Sequence, residues 1–146
     1  MEIQECLNEL LVKLFHDIME IEEKAVKNAS YKNLTINDMH VIEAIGTGAP
    51  RNMSSVAKTL SVTTGTLTIA INSLVKKEYV DRKRSGEDRR VVLVSLTEAG
   101  KQAYEQHKHF HEELIASILE QLNPEESKVL VTVLSRMTSF FEERRS

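Results

Sequence analysis

Only three residues, Ser61-Val62-Thr63, separate two stretches of helical periodicity, and this spacing constrains the chain more than any other feature. Upstream, Val56, Ala57 and Leu60 form the inner face of a short helix from about Met53 to Leu60, with Asn52 placed to cap it. Downstream, Leu67, Ala70, Ile71, Leu74 and Val75 mark a buried stripe between Thr64 and Lys77, while Thr64, Thr68, Asn72 and Lys76 recur every four residues on the opposite side. So short a link leaves room only for a tight turn. The pattern predicts a helix-turn-helix, whose second helix is the one that enters a major groove.

The sequence beyond it adds a second reading element. Tyr79 to Lys83 and Val91 to Ser95 are short β-prone runs. Between them, Arg84-Ser85-Gly86-Glu87-Asp88-Arg89-Arg90 reads as the charged tip of a hairpin, with Gly86 expected to supply a positive φ. Charge is distributed to match. The net charge is -3, yet residues 50 to 95 hold nine Lys or Arg against four Asp or Glu, and no acid lies between Glu43 and Glu78. A cationic centre between acidic ends draws a polyanion to one surface and repels it elsewhere.

On duplex DNA, the tip arginines Arg84, Arg89 and Arg90 suit a narrow minor groove, where the potential is most negative and a planar guanidinium fits. Asp88 reads as a brace for a neighbouring arginine, against the alternative of an ordinary surface ion pair of under about 1 kcal/mol. On the second helix, Thr63, Thr64, Thr66 and Thr68 can meet phosphates, base edges or thymine methyls, and Asn72 can pair with adenine. Thr63 reads equally as a helix cap; both roles can hold, since helix N-termini bind phosphate. Gly65 leaves room for close backbone approach, Ser54 and Ser55 are candidate phosphate donors, and Lys76 completes the polar side.

Long helices flank this centre. Ile3, Leu7, Leu10, Leu14, Ile18, Ile21 and Ala25 form a narrow seam over residues 2 to 28, and a further helix is expected from about Thr35 to Gly46, capped by Thr35 or Asn37. Thr97 is placed to cap a helix running to about Gln121. Asn123-Pro124-Glu125-Glu126 opens the last helix with a cap, a proline at its first position and a Glu able to close a capping box. The fold class expected is mainly α with a small β-hairpin wing, in a single domain: residues 34–96 as a winged helix-turn-helix lobe, 1–33 and 97–146 as dimerisation helices. Apolar positions including Ile115, Leu119, Val133, Leu134, Met137, Phe140 and Phe141 exceed what a small winged lobe buries alone. This favours an obligate homodimer on a palindromic double-stranded site with half-sites about 34 Å apart or a multiple of that. The alternative assigns part of that surface to the monomer's own core.

Several classes are excluded. No run of about 18 uncharged apolar residues occurs and the N-terminal stretch is acidic, which argues against a membrane span and a secretory signal. One cysteine, Cys6, suits a reducing cytoplasm. No glycine-rich phosphate loop, G-x-S-x-G, H-E-x-x-H or paired-cysteine motif is present, so an enzyme is not expected and no cofactor is required.

Four stretches, in order and spacing, resemble the MarR family of winged helix-turn-helix repressors: Met53 to Thr68, Leu74 to Val80, Arg84 to Arg90, and Leu96-Thr97-Glu98-Ala99-Gly100. The resemblance covers essentially the whole chain. It implies a six-helix dimer with a ligand site where the dimerisation region meets the DNA-binding lobe. Ile21-Glu22-Glu23, Lys32 to Gly46, Val62 to Thr68 and His107 to His111 are most similar to family members that repress fatty-acid synthesis. That likeness implies a repressor whose DNA affinity is raised by long-chain acyl groups on acyl carrier protein, a corepressor. Phe15, Ile18, Met19, Met39, Ile42, Phe110 and Leu114 are apolar positions on helices that should converge on such a pocket.

His107 and His111 share one helix face four residues apart, and His40 lies on another helix with Glu22 and Glu23 upstream. Such a set can bind zinc through nitrogen and oxygen, and the positions resemble those of zinc-responsive members of the same family, which control metal uptake. The competing reading has these histidines buried and hydrogen-bonded to Glu22, Glu23 or backbone.

Overall fold

The computed structural model describes residues 2–31 and 33–145. Lys32, which opens one stretch carrying the resemblance, lies outside the described residues. The order is α1 (Ile3–Asn28), α2 (Ile36–Ile45), β1 (Arg51–Asn52), α3 (Met53–Leu60), α4 (Thr64–Lys76), β2 (Val80–Arg84), β3 (Val92–Leu96), α5 (Glu98–Glu120) and α6 (Pro124–Arg145). The chain divides into two compact units, one running through Lys108 and the other starting at His109. The first takes in α1 and the opening of α5, and so extends past the 34–96 lobe at both ends.

Local chemistry sets the helix boundaries. Thr35 caps α2 in a reciprocal box: its hydroxyl accepts from the Asp38 N–H at 3.0 Å while the Asp38 carboxylate accepts from the Thr35 N–H at 3.0 Å. Gly46, at φ +71°, ends the helix. Asn52 caps α3 through Oδ1, which accepts from the Ser55 N–H at 2.7 Å, and Ser61 closes it in the left-handed region at φ +57°. In the second unit, Asn123 and Glu126 exchange hydrogen bonds of 3.0 and 2.9 Å at the start of α6.

The wing is a three-stranded antiparallel sheet in the order β1-β3-β2 rather than the two-stranded hairpin expected. Val80 pairs with Leu96 and Arg84 with Val92, while the two residues of β1, Arg51 and Asn52, pair with Val94 and Leu93. A two-residue strand has no periodicity to read; it exists because β3 offers a second edge. The expectation for Gly86 is also corrected, since it does not adopt a positive φ. The tip closes instead through Ser85 N–H to Val91 C=O at 2.8 Å, Val91 N–H to Asp88 C=O at 3.0 Å and Glu87 N–H to the Ser85 hydroxyl at 3.2 Å. A loop this long turns without a left-handed residue.

The core of the first unit gathers Met39 and Ile42 from α2, Val56 from α3, Leu67, Ile71 and Leu74 from α4, and Val80 and Val94 from the sheet. It fixes α4 against α2, α3 and the wing. Gly100 explains the Leu96-to-Gly100 motif physically. A Cβ there would sit 2.2 Å from the Tyr79 carbonyl oxygen, so only glycine lets the first turn of α5 lie against the start of β2. Thr97 completes that junction, donating its N–H to the Tyr79 carbonyl at 3.1 Å and its hydroxyl to the Glu78 carbonyl at 2.8 Å. Among the described residues, α1 buries only Glu22 and Val26, and α6 buries none.

Candidate nucleic-acid interface

Helix α4 turns Leu67, Ile71 and Leu74 into the core and leaves Thr64, Gly65, Thr66, Thr68, Ile69, Asn72 and Lys76 exposed. The polar face read from the four-residue repeat is therefore the solvent face. Thr63 is the N-cap: its hydroxyl accepts from the Thr66 N–H at 3.1 Å and donates to the Thr66 hydroxyl at 3.0 Å. Thr68 donates its hydroxyl back to the Thr64 carbonyl at 2.8 Å, which presents its methyl and its lone pairs outward. At the other end, Lys77 pairs with the buried Asp38 at 2.9 Å and ties the end of α4 to the first turn of α2. The reading helix is thus anchored at both ends.

The wing arginines differ in how they are held. Arg90 receives the brace. The Asp88 carboxylate accepts from the Arg90 N–H at 3.0 Å, from its Nε at 3.2 Å and from its Nη2 at 3.3 Å. These bonds, the side-chain ones foremost, hold the Asp88 carboxyl below the usual carboxylate range. Arg84 bends back and donates to the Arg89 carbonyl at 2.7 Å, stapling the tip. Arg89 is left exposed at the tip.

Two further arginines show what the sequence pattern missed. Arg82, on β2, donates from Nη1 to the Asn72 side-chain oxygen and so links the wing to the reading helix. Asn72, read from sequence as an adenine reader, has its amide oxygen engaged in this link. The paired residues stand ten apart on different elements, so no periodicity marks them. Arg51 turns inward: its guanidinium donates to the Ala44 carbonyl, to the Ser55 hydroxyl at 2.5 Å and to the Thr59 hydroxyl at 3.0 Å. It caps α2 and secures α3, and its charge is not offered outward. Ser55 is accordingly half-buried beside it, whereas Ser54 is exposed at the start of α3.

The histidine set is partly assembled within the first unit. His107 is 1% exposed; its Nε2 lies 3.1 Å from Glu43 and 3.7 Å from Glu22, and His40 Nε2 lies 3.9 Å from Glu22. His111 follows His107 by one turn of α5 and is half-buried. The apolar positions assigned to a ligand pocket differ in burial. Met39 and Ile42 belong to the core, Phe15 and Ile18 are exposed, and Met19, Phe110 and Leu114 are half-buried. A groove of about 350 Å³ lies between α2 and α4, lined by residues that include His40, Val41, Val62, Leu67 and Ile69.

Comparison with known proteins follows the same outline. Residues 24–107 match the family model of the transcriptional regulators SarA/Rot. The crystal structure of Streptococcus pneumoniae FabT in complex with DNA superposes with a TM-score of 0.92 at 35% identity, covering 96% of this chain and 98% of that one. The Bacillus subtilis regulator YpoP is 30% identical over 103 residues, 70% of this chain and 68% of its own length. AbsC, a MarR family regulator from Streptomyces coelicolor, shares the fold at a TM-score of 0.81 and 19% identity. Against the first five curated Bacillus subtilis relatives, the chain spans from 52% to 68% of the relative's length. Family and fold are those of transcriptional regulators and not of enzymes.

Proposed function

This chain belongs to the SarA/Rot family of transcriptional regulators, with the winged helix-turn-helix fold of MarR proteins, and from that premise we propose that it is a homodimeric repressor binding a palindromic operator. The observation that carries the reading is the pairing of an exposed polar α4 face with a braced arginine tip, on a backbone that matches a regulator–DNA complex over nearly its whole length. Helix α4 enters the major groove, Arg89 and Arg90 the adjacent minor groove, and Arg82 and Ser54 the phosphates between. The dimer follows from the apolar stripes of α1 and α6, which hold residues as exposed as Ile3 at 77% and Val131 at 66%. Both helices bury these stripes against a second copy.

The regulated genes are those of fatty-acid biosynthesis, with acylated carrier protein as corepressor. Support comes from the 35% identity to FabT and from the stretches that resemble repressors of that pathway. A second reading, a zinc-responsive repressor, is favoured by one feature: two imidazoles from different helices, His40 and His107, flank the buried Glu22 carboxylate. Within the first unit, the set of Glu22, His40 and His107 offers the nitrogen and oxygen donors that zinc takes. One experiment separates the two. Binding to duplexes selected from a random pool is measured with acylated carrier protein, unacylated carrier protein, zinc, and chelator. Tightening by the acylated form alone supports lipid feedback; tightening by zinc that chelation reverses supports the metal.

A further inference from the structure

We propose that Ile69 selects thymine in the operator through the base's 5-methyl group. The inference rests on the placement of α4 in the major groove and deepens it from groove to base. Ile69 lies two residues from both Leu67 and Ile71, and at about 100° per residue this puts it across the helix from the core face. It is 74% exposed. In the first unit beyond α1, Val62 and Ile69 are the described large apolar residues left exposed; the others of that region are at least partly buried. Its exposure is therefore not overflow from the core.

On one side Ile69 borders the groove between α2 and α4; on the other it stands beside the exposed polar face of α4. Side chains on a helix lean toward its N-terminus, so Ile69 leans over position 65, one turn back, where there is only Gly65. A Cβ at Gly65 would meet nothing of the protein closer than the Thr63 hydroxyl at 3.8 Å, so the internal packing does not require a glycine there. Its absence of a side chain opens space beside Ile69. One turn ahead, Asn72 is drawn toward Arg82 and β2. Thr68 flanks with its hydroxyl directed at the Thr64 carbonyl of the helix backbone. On the floor of the major groove the thymine methyl is the one apolar projection, which cytosine lacks and which deoxyuridine lacks without any change in base pairing. An isoleucine presented this way is suited to that methyl and not to a hydrogen-bonding edge.

The test uses the full chain and duplexes selected from a random pool by the wild-type protein, with each thymidine replaced in turn by deoxyuridine. One position per half-site should lose about fourfold in affinity, the effect of one buried methyl group. The loss should vanish in Ile69→Ser and persist in Ile69→Val. A loss that persists unchanged in Ile69→Ser assigns the methyl to a threonine and overturns the proposal, as does the lack of any deoxyuridine effect in the wild type. If Ile69→Ser instead changes the sedimentation of the unbound protein, Ile69 serves a protein contact and the proposal is again overturned. The DNA-binding reading stands through all three results and fails only if no duplex is retained, in which case this inference fails with it.

Discussion

The winged lobe and the terminal helices dispose of apolar side chains in opposite ways. Around α2 to β3, every turn of α4 sends a Leu or Ile into a closed core, and the outward face is polar but for Ile69. Along α1 and α6, Leu7, Leu10, Leu14, Val133, Leu134 and Phe141 stay exposed, and α6 buries none of its described residues. The lobe satisfies its own hydrophobic demand and keeps a polar outer face, whereas the terminal helices leave their apolar stripes exposed, the surface that the proposed dimer would cover. The two regions are therefore vulnerable to different substitutions: charges on the terminal stripes should separate protomers, whereas truncations on the lobe's outer face should leave the dimer intact and change only DNA binding.

The largest effect is expected from breaking that division at the terminal helices. Leu10→Asp combined with Leu134→Asp should convert the dimer to a monomer in sedimentation and abolish retention on selected duplexes, with the helical circular dichroism of the lobe preserved. Persistence as a dimer would place the protomer contact elsewhere. Next in size is Gly100→Ala, where the new methyl meets the Tyr79 carbonyl. A stability loss of about 1–3 kcal/mol or more should appear in urea unfolding, and an unchanged midpoint would contradict the close approach of α5 to β2.

On the outer face, Arg90→Ala should cost about 1–3 kcal/mol of DNA affinity without altering the dimer. Arg82→Ala should lower the slope of log affinity against log salt by about one. Because Arg82 is positioned by Asn72, Asn72→Ala should weaken binding evenly across base substitutions, and the double variant should add little to Arg82→Ala alone. Relaxed preference at one base in Asn72→Ala would restore that residue to a reading role. The smallest effect belongs to Asp88→Asn. Its carboxyl is held below the usual range in the folded state, so the brace is complete at neutral pH and is lost only as pH falls through that lowered value. The pH dependence of wild-type binding should thus show no inflection from Asp88 near neutrality, and Asp88→Asn should leave that profile unchanged there while weakening binding only slightly.

What the sequence disclosed was mostly local. The caps at Thr35, Asn52, Thr63, Thr97 and Asn123 are legible because a cap and its partner lie three residues apart, and the buried face of α4 follows from a single period. What it concealed depends on contacts between elements. β1 forms only because β3 has an open edge, and the Arg82–Asn72 link crosses from sheet to helix. Arg51 belongs to the cationic centre by position in the sequence, but its guanidinium caps α2. Gly86 misled for a different reason: a glycine at a hairpin tip suggests a left-handed turn, but the residues from 85 to 91 close without one. Ile69 is not marked by the sequence pattern, because a repeat of polar residues gives no weight to the apolar residue among them.

Sedimentation of the chain alone and mixed with a selected duplex, across a salt series, tests the central claim most directly. Two chains should travel together without DNA and two per duplex with it, with log affinity falling linearly as log salt rises. A monomer that ignores every duplex, or retention indifferent to salt, would contradict both the sealed terminal helices and the cationic reading face.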